Sequence, residues 1–181
     1  MPHGTKGCEL RIQQAAALKT AGTAEQVLAP PLIVSQWFNS AEIITLEMLR
    51  GKVVLIDAFQ MLCPGCVMQS MPQAVRLWQH FRASPAADDV VILGLHSVFE
   101  HHAVMGPEAL AVYLYEFRIP FPVGVDSPGT TGSIPQTMQA YGMQGTPTQL
   151  LIDRAGRLRR QHFGVEQDEE ILRRVARLLE E

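Results

Sequence analysis

The chain has 181 residues, of which 47% are hydrophobic, and a formal net charge of -3 at pH 7. That length supports one domain with a substantial core rather than two domains. The slightly acidic balance argues against a nucleic-acid partner, because proteins that bind DNA or RNA carry a clustered basic surface. We therefore expect a single domain over residues 32–181, preceded by an N-terminal extension over residues 1–31.

Neither a membrane span nor a secretory leader is visible in the sequence. No apolar run reaches the roughly 18 residues of a membrane-spanning helix. The beginning of the chain has only Ala15–Leu18 as an uninterrupted apolar stretch, whereas a signal peptide needs a core of about 7–15 apolar residues. We accordingly expect a cytoplasmic protein with no membrane partner.

Hydrophobic periodicity predicts strands and helices in alternation. Continuous apolar runs at residues 52–59 and 90–96 indicate strands that are buried on both faces, as in a parallel sheet. Helices are predicted at residues 67–81, with a kink at Pro72, and at 107–117, 133–141 and 168–179. Further strands are predicted at 121–126, 148–153 and 157–163. Residues 32–39 are expected to be extended, and residues 45–49 to form a helical turn. This order, β-α-β-α-β-α-β-β-α, predicts an α/β fold.

Three cysteines are too few for a disulfide scaffold, and two of them form one C-x-x-C motif, Cys63-Pro64-Gly65-Cys66. The motif stands between a predicted strand and a predicted helix. A cysteine at a helix N-terminus faces unpaired backbone N–H groups and the positive end of the helix dipole, which stabilise a thiolate. Cys63 is therefore the expected nucleophile, and Cys66 the more buried thiol that resolves the mixed disulfide.

Three segments resemble the thioredoxin superfamily. Residues 54–66, VLIDAFQMLCPGC, resemble its active-site strand and turn, and residues 145–148, GTPT, resemble its cis-proline loop. Residues 151–157, LIDRAGR, are similar to the redoxin branch, which contains the TlpA-like and the alkyl hydroperoxide reductase/thiol-specific antioxidant proteins. The resemblance covers most of residues 32–181. It implies a thioredoxin-like fold, a central mixed sheet flanked by helices.

The resemblance also implies roles for individual residues. Asp57, six residues before Cys63, takes the place of the buried acid that accepts the proton of Cys66. Pro147 takes the place of the cis-proline, and Thr146 is the residue before it. Together they would present backbone hydrogen bonds to an extended substrate.

Two residues around the dithiol are expected to shape the substrate surface. Pro64 suits the first position of a helix, and Gly65 leaves little bulk over the sulfurs.

Leu62 stands where the family usually has tryptophan, so the surface that meets a partner differs from the usual one. Asp57 stands where the TlpA-like branch often has asparagine.

The leading functional prediction is thiol-disulfide exchange with a protein or small-molecule thiol partner, without a cofactor. The Pro-Gly pair adds no cation to stabilise the reduced thiolate, which favours a reducing direction. A peroxidase of the peroxiredoxin type is the alternative, with a sulfenic acid on Cys63. Its Pro-x3-Thr/Ser-x2-Cys signature is absent, because Ile56 and Gln60 occupy those places. A non-catalytic binding module is a third possibility, against which the intact cysteines argue.

Other residues could bind a metal or a substrate, but the sequence supports these roles less strongly. A lone C-x-x-C can be half of a zinc site, but the chain has no second C-x-x-C and no H-x3-5-H pair at a zinc-finger distance from this one, so we expect no metal. His96, Glu100, His101 and His102 follow the second buried strand, on the same sheet edge as Cys63. They could bind a metal or a substrate, but we favour a solvated loop. Cys8 is interpreted as a bystander thiol.

Overall fold

The structure, a computed structural model, describes residues 27–181; Cys8 and most of the predicted extension lie outside the described residues. The described chain forms a six-stranded sheet with the strand order β1-β4-β3-β2-β5-β6. The strands are β1 (Val34–Phe38), β2 (Val53–Phe59), β3 (Val90–His96), β4 (Val123–Asp126), β5 (Thr148–Ile152) and β6 (Leu158–Phe163). The α-helices are α1 (Met71–Arg82), α2 (Pro107–Glu116), α3 (Gln136–Ala140) and α4 (Asp168–Leu179).

The sheet is mixed, as predicted. Strand β2 lies at its centre, parallel to β3 and antiparallel to β5. Strand β4 is parallel to β3, while β1 and β6 form antiparallel edges. Every residue of β2 is buried, because helices and loops cover both faces of the sheet. The continuous apolar run of this strand is thereby explained.

Alternation along β2 divides its side chains between two cores. Val53, Leu55 and Phe59 belong to the core that α1, α2 and α4 build on one face. Val54, Ile56 and Ala58 belong to the core on the other face, to which α3 contributes. Asp57 lies two residues from both Leu55 and Phe59, so its side chain is on the same face of β2 as theirs. Its carboxyl group is therefore directed into the same core as the helix that follows the C-x-x-C motif.

The helix type changes directly before Pro72, where the sequence predicts a kink. A π-helical turn, Cys66–Ser70, precedes α1, and the N–H of Met71 donates to the carbonyl of Cys66, five residues back. Pro72 follows this turn within one continuous helical segment, residues 64–82, so the hydrogen-bond register shifts directly before the residue that has no N–H to donate.

The predicted helical turn at residues 45–49 is a hydrogen-bonded turn, with the N–H of Arg50 donating to the carbonyl of Glu47. One helical prediction was too long. Helix α3 begins at Gln136 instead of Ser133. Proline at position 135 disfavours helical dihedrals in the preceding residue, so the helix starts only after it.

The predicted hairpin between β5 and β6 is confirmed. The N–H of Gly156 donates to the carbonyl of Asp153 at 2.8 Å, and Gly156 has a φ of 75°, which glycine adopts without strain. Leu28 forms an isolated antiparallel bridge with Arg157, so residues before position 32 pair with this hairpin. Within residues 27–181, every helix is too short or too polar to cross a bilayer.

Candidate active site

The two cysteines of the motif lie at the point where β2 gives way to the helical segment. Cys63 is half-buried and Cys66 is buried, and both carry free thiols. The N–H of Cys66 points at the sulfur of Cys63, with 3.4 Å between the two atoms. The first turn of helix thus places an unpaired backbone donor against the more exposed sulfur, which stabilises negative charge there.

The loop that contains Thr146 and Pro147 lies against this turn. The Thr146–Pro147 peptide bond is cis, and the thiol of Cys63 donates to the carbonyl of Thr146 at 3.6 Å. A Cβ atom built on Gly65 would lie 3.5 Å from Cδ of Pro147. The loop and the dithiol turn are therefore in van der Waals contact, and only a small residue at position 65 leaves this approach unobstructed.

Asp57 is fully enclosed in the core beneath the dithiol. It is 1% exposed, and neither carboxyl oxygen has a hydrogen-bond partner among the described residues. Burial raises the pKa of Asp57 to about 7, an effect that the nearby hydroxyl of Ser70 only partly offsets. The carboxyl group is therefore divided between its protonated and ionised forms at neutral pH, as a group that exchanges protons requires.

Burial also raises the pKa of the Cys66 thiol, and the neighbouring Cys63 adds to the effect. Tyr113 of α2 lies near both Cys66 and Asp57: burial first, and then the charges of these two groups, raise the pKa of its hydroxyl. The Tyr113 hydroxyl, like that of Ser70, is buried without a partner among the described residues. Cys66 thus lies in an apolar core beside several polar groups that have no fixed partner.

The histidines of the β3 end separate from one another in the fold. His96 is 1% exposed, and its Nε2 accepts the N–H of Met61 in the dithiol turn at 3.4 Å. Burial lowers its pKa to about 4, so it is neutral at physiological pH. His101 and His102 are exposed. Within residues 27–181, no three His, Cys, Asp or Glu side chains converge to hold a metal ion.

Gln60 also belongs to the site. In the sequence, Gln60 is notable only because it occupies the Thr/Ser place of the peroxiredoxin signature. Its side chain is 1% exposed. The amide Nε2 donates to the Thr146 hydroxyl, and Oε1 accepts the N–H of Phe99, each at 3.4 Å. A polar residue directly after a strand of seven buried residues is the signal that could have revealed it. Tyr113 gave no comparable signal, because its position in an apolar helix suggests only a core residue.

The fold and this site together define a class. A dithiol follows the central strand, opens a helix, and faces a cis-proline loop across the sheet edge, which is the arrangement of thioredoxin-like proteins. The comparisons with known proteins agree with this classification. The chain is 53% identical to a thioredoxin-like superfamily protein of known crystal structure, with a TM-score of 0.81 over 86% of this chain and 97% of the other.

A thiol-disulfide isomerase from Corynebacterium glutamicum is 47% identical, with a TM-score of 0.76 over 84% of this chain and 97% of the other. The chain belongs to the thioredoxin-like superfamily. Among curated proteins it is similar to Protein DipZ of Mycobacterium bovis, at 29% identity over 152 residues, which are 83% of this chain but 20% of DipZ. This chain thus spans about a fifth of DipZ. No family model matches it.

Proposed function

We propose that this protein is a thiol-disulfide oxidoreductase that reduces disulfides through Cys63 and Cys66. The observation that carries the proposal is the unequal environment of the two sulfurs. Cys63 is half-exposed, with a backbone N–H 3.4 Å from its sulfur, whereas Cys66 is 0% exposed. One thiol is therefore accessible and faces a backbone donor, while the other is shielded until the first has reacted.

In the first step, the Cys63 thiolate attacks one sulfur of a substrate disulfide. A Cys63–substrate disulfide forms, and the other substrate sulfur leaves as a thiolate, which takes a proton from solvent. Thr146 and Pro147 are proposed to bind the extended backbone of the substrate, since their loop contacts the dithiol turn. Pro64 and Gly65 form the surface across which the substrate approaches.

In the second step, Cys66 attacks the sulfur of Cys63 and releases the second substrate thiolate. Because burial raises the pKa of Cys66, its thiol requires a base. Asp57, with a pKa of about 7, is the proposed acceptor of that proton. Two electrons pass to the substrate, the protein is left with a Cys63–Cys66 disulfide, and an external dithiol must reduce it again.

The proposed direction of electron transfer can be tested by measuring the reduction potential of the dithiol. The Cys63–Cys66 couple is equilibrated with glutathione or dithiothreitol buffers, and the oxidised fraction is read by mass spectrometry, with Cys66→Ser as the variant that forms no internal disulfide. We expect a two-electron couple below about -220 mV, as suits a reductant in the cytoplasm. A value near -120 mV would reverse the direction. Stoichiometric zinc in place of a disulfide would overturn the proposal.

A further inference from the structure

Beside Cys63 the surface opens into a cleft of about 240 Å³. The dithiol turn, the cis-proline loop and the loop between β3 and α2 form its walls. Leu62, Phe99 and Met105 contribute apolar surface, while Glu100 and His101 contribute polar groups. A substrate whose sulfur reaches Cys63 must place some of its neighbouring atoms in this cleft.

The walls of the cleft are held together before any substrate arrives. The buried amide of Gln60 donates to the hydroxyl of Thr146 and accepts the N–H of Phe99, each at 3.4 Å. One side chain thus connects the cis-proline loop to the loop that carries Glu100. A binding site whose walls are already fixed spends less of its binding free energy on ordering.

Glu100 gives the cleft its charge. Its side chain is exposed, and it forms no ion pair with any residue among positions 27–181, unlike Glu166 and Glu170, which are paired with arginines. Among residues 27–181, no lysine or arginine lines the cleft, and its titratable side chains are Glu100, His101 and Cys63. An unpaired carboxylate above apolar walls is complementary to a side chain with an apolar stem and a cationic head, as in lysine and arginine.

Resting on the proposed function, we propose that this cleft selects polypeptide disulfides in which a lysine or arginine lies next to the attacked cysteine. The stem of that side chain would pack on Phe99 and Met105, and its head would meet Glu100. The same carboxylate disfavours small anionic disulfides such as oxidised glutathione. An exposed pair of opposite charges favours the basic substrate about two- to fivefold at low ionic strength.

The test uses three disulfide peptides that differ only in the residue beside one cysteine, which is Lys, Leu or Glu. Rate constants for their reduction by the protein are divided by those for dithiothreitol, which removes differences in the intrinsic reactivity of each disulfide. We expect the normalised Lys-to-Leu ratio to be about two to five, and to shrink as salt screens the charges.

Glu100→Gln should bring this ratio close to one, and Glu100→Lys should turn the preference towards the Glu peptide. Glu116→Gln, an exposed position on α2 outside the cleft, is the matched control and should retain the preference. Equal normalised rates for the three peptides, or a preference that persists in Glu100→Gln, would overturn the selectivity alone. If the protein reduces none of the peptides, the proposed function fails as well.

Discussion

The backbone nitrogen of Cys66 lies 3.4 Å from the sulfur of Cys63, so the buried cysteine supplies a hydrogen-bond donor to the exposed one. This relationship couples the two thiols without any side chain between them. Because the donor is a backbone group, it survives replacement of the Cys66 side chain. The reactivity of Cys63 and the resolving role of Cys66 can therefore be separated by mutation.

Cys66→Ser should trap the reaction halfway. With the resolving thiol removed and the backbone donor retained, Cys63 still attacks a substrate disulfide, and about one mixed disulfide per chain should accumulate. Mass spectrometry after rapid acid quenching measures this adduct. The experiment is done in a Cys8→Ser background, so that the third thiol adds nothing. An adduct of similar yield in Cys63→Ser would contradict the assignment of the nucleophile.

Asp57→Asn should change how stability depends on pH. The pKa of Asp57 is about 7 in the folded protein and about 3.9 in an unfolded chain. Folding therefore takes up a proton between these values, and the free energy of unfolding contributed by Asp57 falls as pH rises from about 4 to 7, by at most about 4 kcal/mol. Asn cannot ionise, so this decline should disappear.

Urea unfolding of the reduced protein, followed by tryptophan fluorescence at several pH values, measures the effect of Asp57→Asn. Asp88→Asn, at an exposed position, is the control and should reproduce the wild-type profile. The Asp57 variant should also slow release of the second substrate thiol. Parallel pH profiles of stability in wild type and in Asp57→Asn would show that the carboxyl group is not held neutral by burial.

His96→Gln should act in the opposite sense. The pKa of His96 is about 4 in the folded protein and about 6.5 in an unfolded chain. The unfolded chain therefore binds the extra proton, and the stability contributed by the neutral His96 is lost as pH falls from about 6.5 to 4, by up to about 3 kcal/mol. Gln can still accept the N–H of Met61 but does not titrate.

Asp57 and His96 oppose each other between about pH 4 and 6.5, each with a slope of about 1.4 kcal/mol per pH unit. The wild type should therefore be less sensitive to pH in this window than either variant. His96→Gln should become more stable towards acid, while Asp57→Asn should lose stability there. His80→Gln, at an exposed position, is the control for the loss of a histidine. Variants with wild-type slopes would refute this compensation.

Gly65→Ala and Gly94→Ala should change stability in opposite directions. Gly65 has a helical φ of -63°, and a Cβ there would make an ordinary 3.5 Å contact with Pro147. Alanine should stabilise the helix start by about 0.5–1 kcal/mol. At Gly94 a Cβ would lie 3.0 Å from Val123 in the close-packed sheet, which should cost about 1–3 kcal/mol. Thermal unfolding of both variants distinguishes them.

The sequence by itself determined the strands, most helices and the position of the dithiol. These features depend on local patterns: continuous apolar runs for β2 and β3, helical periodicity after Cys66, and a glycine-containing turn between β5 and β6. The resemblance of residues 145–148 to a cis-proline loop located the partner segment of the dithiol. The resemblance of residues 54–66 to the active-site strand and turn placed Asp57 in the same way.

The sequence placed Glu100 on the same sheet edge as Cys63, but only the tertiary structure decided that both line one cleft and that Gln60 joins two of its walls. These contacts depend on how the loops meet at the sheet edge, which no local pattern determines. The same is true of the pKa values of Asp57 and His96, which follow from burial beneath helices contributed by the rest of the chain. Local sequence determines which groups are available, whereas the environment of each group is a sum of non-local contacts that only the folded chain supplies.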